Sequence, residues 1–462
     1  MEIKPDWCDW WTSGDWQRFV RLLKAIDRGN LYATRSGDED LRMLAGAVRE
    51  SPAGKWSVTI KDHLSRCQQQ VTLDRQGFAE QVLDAMTRAG MHNAWYDHEN
   101  FAICPEGEGE PLVLHLGPTF TECQQAAPSE VADRIAKLVS LATSPDEPLD
   151  TWHAVRDRLR PVLRAATYGL DTALAHDMWP LARPALPFLE ERVVVDLPAK
   201  MQYVMASHLT DWGVTPEDVF ATARANLAGT APRPDTTADG PTVLRFVDED
   251  GDLYLSSLPL LDGWLDSMAS AVGGRPVAFM PDHASLIVAT DTETGIPEIL
   301  QMVEADYTEA ARALSPLAYT VDESGAVIPY PAPDGHPAGP AVRRATAILA
   351  ATEYDAQKTC LDEHHEAELI PTFVASLLVT ENDETLTVWG EDVDSLLPRA
   401  DCVAFVGEDS EPCVVPWESV AEAVTLTPVD GVSPPRYRVH NWPTADVMKQ
   451  LRTKAKAMQL AR

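Results

Sequence analysis

Apolar residues in this chain recur at two spacings, and the switching between them predicts most of its elements. In GFAEQVLDAMTRAG, Phe78, Val82, Leu83 and Met86 fall on one helical face, and Gly90 stands where the helix would stop. HNAWYDHENFAICP and PLVLHLG alternate as strands joined by an EGEGE turn. APSEVADRIAKLVSLA returns to helical spacing, with Pro128 near its first turn and Val131, Ile135, Leu138 and Val139 on one side. TSPDEPLD punctuates the chain, and a β-branched run then ends at Asp196. Next comes a helix with a complete start signal. Thr215 caps it, Pro216 takes the first helical position, and Asp218 closes a capping box. Its buried face is Val219, Phe220, Ala223 and Leu227.

Beyond a polar loop at 229–241, helices alternate with three predicted hairpins. TVLRFVDEDGDLYLSS turns at Asp250-Gly251, and RPVAFMPDHASLIVATD and LAYTVDESGAVIPY supply the other two. Between them lie LLDGWLDSMASAVGG, with Trp264, Leu265, Met268 and Val272 inward, and the long amphipathic GIPEILQMVEADYTEAARAL. PYPAPDGHPAGP reads as a linker. After it come a helix at VRRATAILAA, strands at TFVASLLVT, ETLTVWG, DCVAFVG and YRVHNW, and a basic helix, DVMKQLRTKAKAMQLAR. Hairpins flanked by helices imply an α+β protein with small, mainly antiparallel sheets in more than one domain. The expected division is a Trp-rich helical extension at 1–55, α+β regions at 56–145 and 146–333, and a C-terminal α+β domain at 341–462. Trp7, Trp10, Trp11 and Trp16 of the extension are expected to pack on another domain.

Charge narrows the function classes. Asp plus Glu number 71 against 38 Lys plus Arg, a formal net charge of −33. Such a surface repels phosphate backbones and anionic bilayers, so neither nucleic acid nor membrane is an expected partner. A basic protein partner suits it better. Seven scattered cysteines without a Cys-x-x-Cys pair argue against a disulfide framework or a zinc ribbon and for a reducing cytoplasm. MEIKPDWCDWW lacks the basic start and apolar core of a signal peptide, and no run reaches the ~18 apolar residues of a membrane span. No Gly-x-Gly-x-x-Gly follows a strand, and neither a Walker-type loop nor a Gly-x-Ser-x-Gly elbow occurs. No cofactor is therefore expected.

One stretch carries a family resemblance. VVVDLPAKMQYVMASHLTDWGVTPEDVFATARANL has a strand ending in a carboxylate, a Tyr-Val step, a short helix, a Trp-Gly-x-Thr turn and a helix ending in Asn-Leu. HENFAICPEGEGEPLVLHLGPTF lies upstream, with VAFMPDHASLIVATDTETGIPEILQMV and LSPLAYTVDESGAVIPY downstream. In this order the blocks resemble the YtpQ-like family of bacterial proteins over about residues 65–333. The resemblance implies the fold and a cytoplasmic setting and brings no activity with it. Asp196, Gln202, Tyr203, Trp212 and Asn226 are the positions that match the family pattern.

Each candidate site has a bland reading beside the chemical one. Asp196, Gln202, Tyr203 and Trp212 line a ligand or partner groove, or they fix the fold, with Trp212 packing and Asn226 tying off its helix. Asp282-His283 suits proton transfer beside a nucleophile, but Pro-Asp-His is also good turn chemistry. His364 and Glu368 share a helical face, as metal ligands or as a solvated helix end. His92, Asp97, His98 and His115 converge across a hairpin only if alternation permits it. The leading expectation is a non-catalytic interaction protein. The alternatives are a hydrolase assembled from Asp196, Tyr203, Asp282 and His283, or a metal or small-ligand binder without turnover.

Overall fold

A computed structural model describes residues 74–98, 101–105, 114–124, 126, 128–143, 149, 151–176, 179–197, 200–232, 238–247, 254–332, 335–407 and 412–455. The predicted Trp-rich extension, the EGEGE turn and the Asp250-Gly251 turn lie outside the described residues. The chain divides into two compact units between Thr143 and Ser144.

The first unit opens with helix α1 (Arg75–Arg88), whose free N–H groups are capped by the Asp74 carboxylate accepting from Gly77 N–H at 2.7 Å. Strands β1 (Ala94–Asp97), β2 (Ala102–Pro105) and β3 (Leu114–His115) pair antiparallel in chain order. HNAWYDHENFAICP is thus two strands rather than one, with Phe101 in the left-handed region just before β2. Helices α2 (Gly117–Gln124) and α3 (Pro128–Thr143) follow; α2 has no counterpart in the sequence reading. Phe78, Val82 and Met86 of α1 meet Ile103, Leu116, Ile135 and Leu138 in one core.

The second unit begins with α4 (Trp152–Val155), β4 (Leu159–Ala165), α5 (Leu170–His176), β5 (Ala182–Leu186), β6 (Leu189–Asp196), β7 (Met201–Tyr203), α6 (Ala206–Trp212) and α7 (Pro216–Thr230). β6 is central, with β4, β5 and β7 all antiparallel to it. Val193, Val195 and Leu159 on one face pack with Trp212, Val219, Phe220 and Ala223. Glu191, fully buried on this side, is held by Arg183 at 2.7 Å and by two bonds from Arg224 at 2.8 and 2.7 Å. A carboxylate removed from water needs such partners. Val162 and Val194 on the opposite face join a second, larger core.

That core is built by β8 (Val243–Val247), a 3-10 turn at Leu255–Leu260, α8 (Trp264–Ser267), α9 (Ala269–Val272), β9 (Pro276–Phe279), β10 (Ser285–Thr290), α10 (Gly295–Glu309), β11 (Ala318–Val321) and β12 (Val327–Pro329). The sheet order is β12-β11-β9-β10-β8, antiparallel throughout. Two hairpins fold as read. The third does not: Leu255–Leu260 forms the 3-10 turn, with Leu255, Leu258 and Leu260 buried in the core, and β8 pairs with β10 instead. The single helix expected at 260–274 is broken at Met268, yet Trp264, Leu265, Met268 and Val272 are all buried.

Helix α11 (Gly339–Ala367) is far longer than the ten residues read as helical and runs through DEHHEAE. It leads into β13 (Phe373–Val374), β14 (Leu377–Val379), β15 (Thr385–Gly390), β16 (Ser395–Pro398), β17 (Cys402–Val406), β18 (Cys413–Pro416), α12 (Trp417–Ala423), β19 (Thr427–Pro428), β20 (Arg436–Val439) and α13 (Ala445–Arg452). Two four-stranded sheets result, β13-β16-β20-β19 and β14-β15-β17-β18, and the β13–β16 and β15–β17 pairs are parallel. Met448 and Leu451 of the basic α13 pack into the core of this region. The architecture is α+β, as the hairpin pattern implied. Among the described residues no helix is long and apolar enough to cross a membrane.

Candidate functional site

Strand alternation builds one polar face. Along β4, Arg160, Val162 and Arg164 share a side, and the register sets Arg160 opposite Val194, Val162 opposite Arg192 and Arg164 opposite Glu190. β7 continues the face, with Tyr203 opposite Val194 and Met201 opposite Asp196. Five of these positions, Arg160, Arg164, Glu190, Arg192 and Asp196, are charged.

Arg164 is the hub. Its side chain lies under the surface, and the residue is only 7% exposed. Nε donates to the Tyr203 hydroxyl at 2.8 Å, one terminal nitrogen donates to Leu163 O at 2.8 Å, and the other lies 3.5 Å from the Met201 sulfur. The guanidinium sits 5.7 Å from the Tyr168 ring centre, and that of Arg192 is equally far from the same ring. Arg192 pairs with Glu190 at 3.1 Å and donates to Tyr168 O at 2.7 Å, while its buried Nε finds no partner among the described residues. Burial pushes the Tyr203 phenol up to about 12, against the opposing pull of Arg164.

Two further elements close on this face. Tyr254, at the start of the 3-10 turn, holds a left-handed backbone with φ of 51°. An aromatic residue adopts that conformation only where the surroundings impose it. Its hydroxyl donates to the Asp196 carboxylate, and burial first, then Asp196, raises its pKa although Arg160 and Arg164 oppose the shift. His283 comes from the β9–β10 turn, anchored by its N–H to Arg312 O at 3.3 Å. Burial, followed by the positive charges of Arg164 and Arg312, holds the imidazole well below its ordinary pKa. At neutral pH the site therefore presents guanidinium groups, protonated phenols and an uncharged imidazole.

Asp196, Tyr203 and His283 thus come together around Arg164. The other three nominated residues do not. Trp212 lies on the opposite face, where its Nε1 donates to Leu149 O at 2.7 Å and its ring packs against Trp152 and His208. Gln202 alternates away from Tyr203 to that same side, opposite Val195, and its buried Oε1 has no partner. Asp282 is consumed by its turn: one oxygen accepts from Ala284 N–H at 2.7 Å and the other from the Ser285 hydroxyl at 2.7 Å. Asn226 does not end its helix but fastens it to β4, donating to Arg156 O at 2.7 Å and Leu159 O at 3.1 Å. Sequence reasoning passed over Arg160, Arg164, Tyr168, Tyr254 and Arg312. The spacing of Arg160 and Arg164 within LRPVLRA, four apart in a strand and so on one face, was the available signal.

Other clusters are weaker. A cleft of about 820 Å3 is lined by Arg275, Asp291, Glu293, Tyr330 and His336. Its central charges already satisfy one another: Tyr330 donates to Asp291 at 2.7 Å, and Arg275 lies 3.6 Å from the same carboxylate. His365 bonds Thr372 O through Nδ1 at 2.9 Å. His98 packs on Tyr96, and the His115 side chain is outside the described residues. Among the described residues no three His, Cys, Asp or Glu side chains are grouped to hold a metal ion. No family model, curated protein or solved structure matches the chain.

Proposed function

We propose that this chain is a non-catalytic binding protein and that the face around Arg164 is its recognition site. The observation that carries this reading is the convergence of Asp196, Tyr203, Tyr254 and His283, from four separate elements, on one buried guanidinium. Fixed polar groups beside half-exposed Tyr168 and Met201 have the anatomy of a recognition site. The resemblance to the YtpQ-like family gives Asp196 and Tyr203 to the family pattern and favours a cytoplasmic setting. The net charge of −33 suits a basic protein partner on the outer surface. The test is purification of the tagged chain from its native cells at two salt concentrations, with mass spectrometry of whatever accompanies it, for the wild type and Tyr203→Phe. A stoichiometric partner or ligand that the variant loses is expected. If neither form retains anything specific, the reading fails.

A second reading, a hydrolase, is favoured by one feature. His283 is held neutral beside Arg164 and so keeps an unprotonated ring nitrogen at neutral pH, as a weak base. Turnover of ester or phosphoester substrates that His283→Gln abolishes would replace the binding reading with this one.

A further inference from the structure

Burying a guanidinium is tolerable when a carboxylate shares the site, and the other buried arginine of this sheet, Arg192, has Glu190. Among the described residues no carboxylate forms an ion pair with Arg164. Its hydrogen bonds go to a phenol, a backbone carbonyl and a thioether, all neutral. Arg160, on the same face, donates to the carbonyls of Asp157 and Leu159 and to no side chain among the described residues. Two carboxylates share the face: Asp196, which accepts from the neutral Tyr254 hydroxyl and keeps its charge, and Glu190, which pairs with Arg192. Among the described residues the buried Nε–H of Arg192, a residue only 6% exposed, finds no acceptor. Three guanidinium groups, Arg160, Arg164 and Arg192, thus share the face with two carboxylates, Asp196 and Glu190, which leaves one positive charge and one donor in excess among the described residues.

We propose that the face built on β4, β6 and β7 binds a small organic anion. A carboxylate or phosphate group sits against Arg164 and Arg160, and an apolar or aromatic body rests on Tyr168 and Met201. This deepens the reading of the face as a recognition site and rests on it. The apolar body follows from the lip of the site, since Tyr168 is 46% and Met201 39% exposed beside the guanidinium. The small size follows from the net charge of −33, which repels a polyanion far more than a mono- or dianion. Arginine forks match planar carboxylate and phosphate oxygens in pairs, so the two head groups share one chemistry here.

The experiment is ligand-observed NMR and calorimetric titration of the full chain. The probes are benzoate, phenyl phosphate, their uncharged counterparts benzamide and phenol, and inorganic phosphate. Binding of benzoate or phenyl phosphate is expected, at least about tenfold tighter than its uncharged counterpart, because a charged hydrogen bond is lost in the latter. Whichever of the two binds more tightly identifies the head group. Arg164→Met should remove the preference. Because removing a buried guanidinium also disturbs the packing around it, Arg160→Met, at a more exposed position, should independently weaken the anion by a measurable factor while thermal unfolding shows an intact fold. Equal binding of charged and uncharged probes overturns the anion but leaves the recognition face standing. Failure of every anion to bind overturns the inference, and partner or ligand loss in Tyr203→Phe then decides separately whether the face recognises anything. Binding unchanged in both arginine variants places any anion elsewhere and overturns it too.

Discussion

A histidine that must stay uncharged gives this fold an acid limit. His283 lies partly buried near Arg164 and Arg312, so protonating it adds a third positive charge beside those two. Its folded pKa lies below the ordinary 6.5, and the unfolded chain therefore binds the proton first as pH falls. The stability it contributes is complete above about pH 6.5 and is lost as pH falls through the folded value, with a slope of at most about 1.4 kcal/mol per pH unit. Glu353 acts in the opposite sense. Burial raises its carboxyl despite bonds from Thr167, so its contribution is present at low pH and declines as pH rises. Urea unfolding of wild type and His283→Gln at pH 7 and pH 5 isolates the histidine: the variant should lose less stability on acidification. Equal losses would mean that His283 is hydrated and that the packing around it is misjudged. The residue was legible in the sequence as a turn histidine beside Asp282. Its charged neighbours were not, since Arg164 is brought to it by packing between two separate sheets and Arg312 by the isolated Asp282–Ala313 bridge.

At the scale of elements, what was legible is what local physics determines. The helix α7 was readable to its last buried residue, because a capping box spans four positions and a buried face repeats every 3.6. Two of three hairpins were readable for the same reason. The Tyr254 segment was not. Its alternation favoured a strand, but a core that takes Leu255, Leu258 and Leu260 together overrides local propensity. Trp212 shows the same limit within one helix. Sequence alone left it between a groove and a packing role, and the choice depends on Trp152 and Leu149, some sixty residues upstream. Trp212→Ala should cost about 3–5 kcal/mol through the cavity and the lost hydrogen bond. Trp212→Phe should cost less, and ligand or partner capture by its folded fraction should match the wild type. Chemical denaturation gives the first and the native purification the second. Loss of capture with stability unchanged would return Trp212 to the site.

The second unit is organised around a helix that the chain's punctuation conceals. PYPAPDGHPAGP has the composition of a domain linker, yet proline and glycine show only where regular structure stops, and a shared core can continue across them. Helix α11, just beyond it, contributes Ala345 and Leu349 to the core of the five-stranded sheet and Leu361 to a cluster with Val374 and Leu396. Its Glu353 accepts from the Thr167 hydroxyl at 2.8 Å next to the β4 face, and the Tyr354 ring meets Phe188 edge-on at 5.8 Å. Arg436, fully buried, ties the helix to the C-terminal sheets by bonding Gln357, Tyr354 O, Ala375 O and Leu396 O. Signature region and C-terminal region are therefore expected to unfold together. A fragment covering 144–462 should give one cooperative thermal transition. A fragment ending at 338 retains every strand of the five-stranded sheet but loses α11, exposes the apolar surface that Ala345 and Leu349 cover, and should show no cooperative transition and rapid proteolysis. If the shorter fragment unfolds cooperatively by itself, α11 only decorates an independent domain, and the anion site must be stable without it.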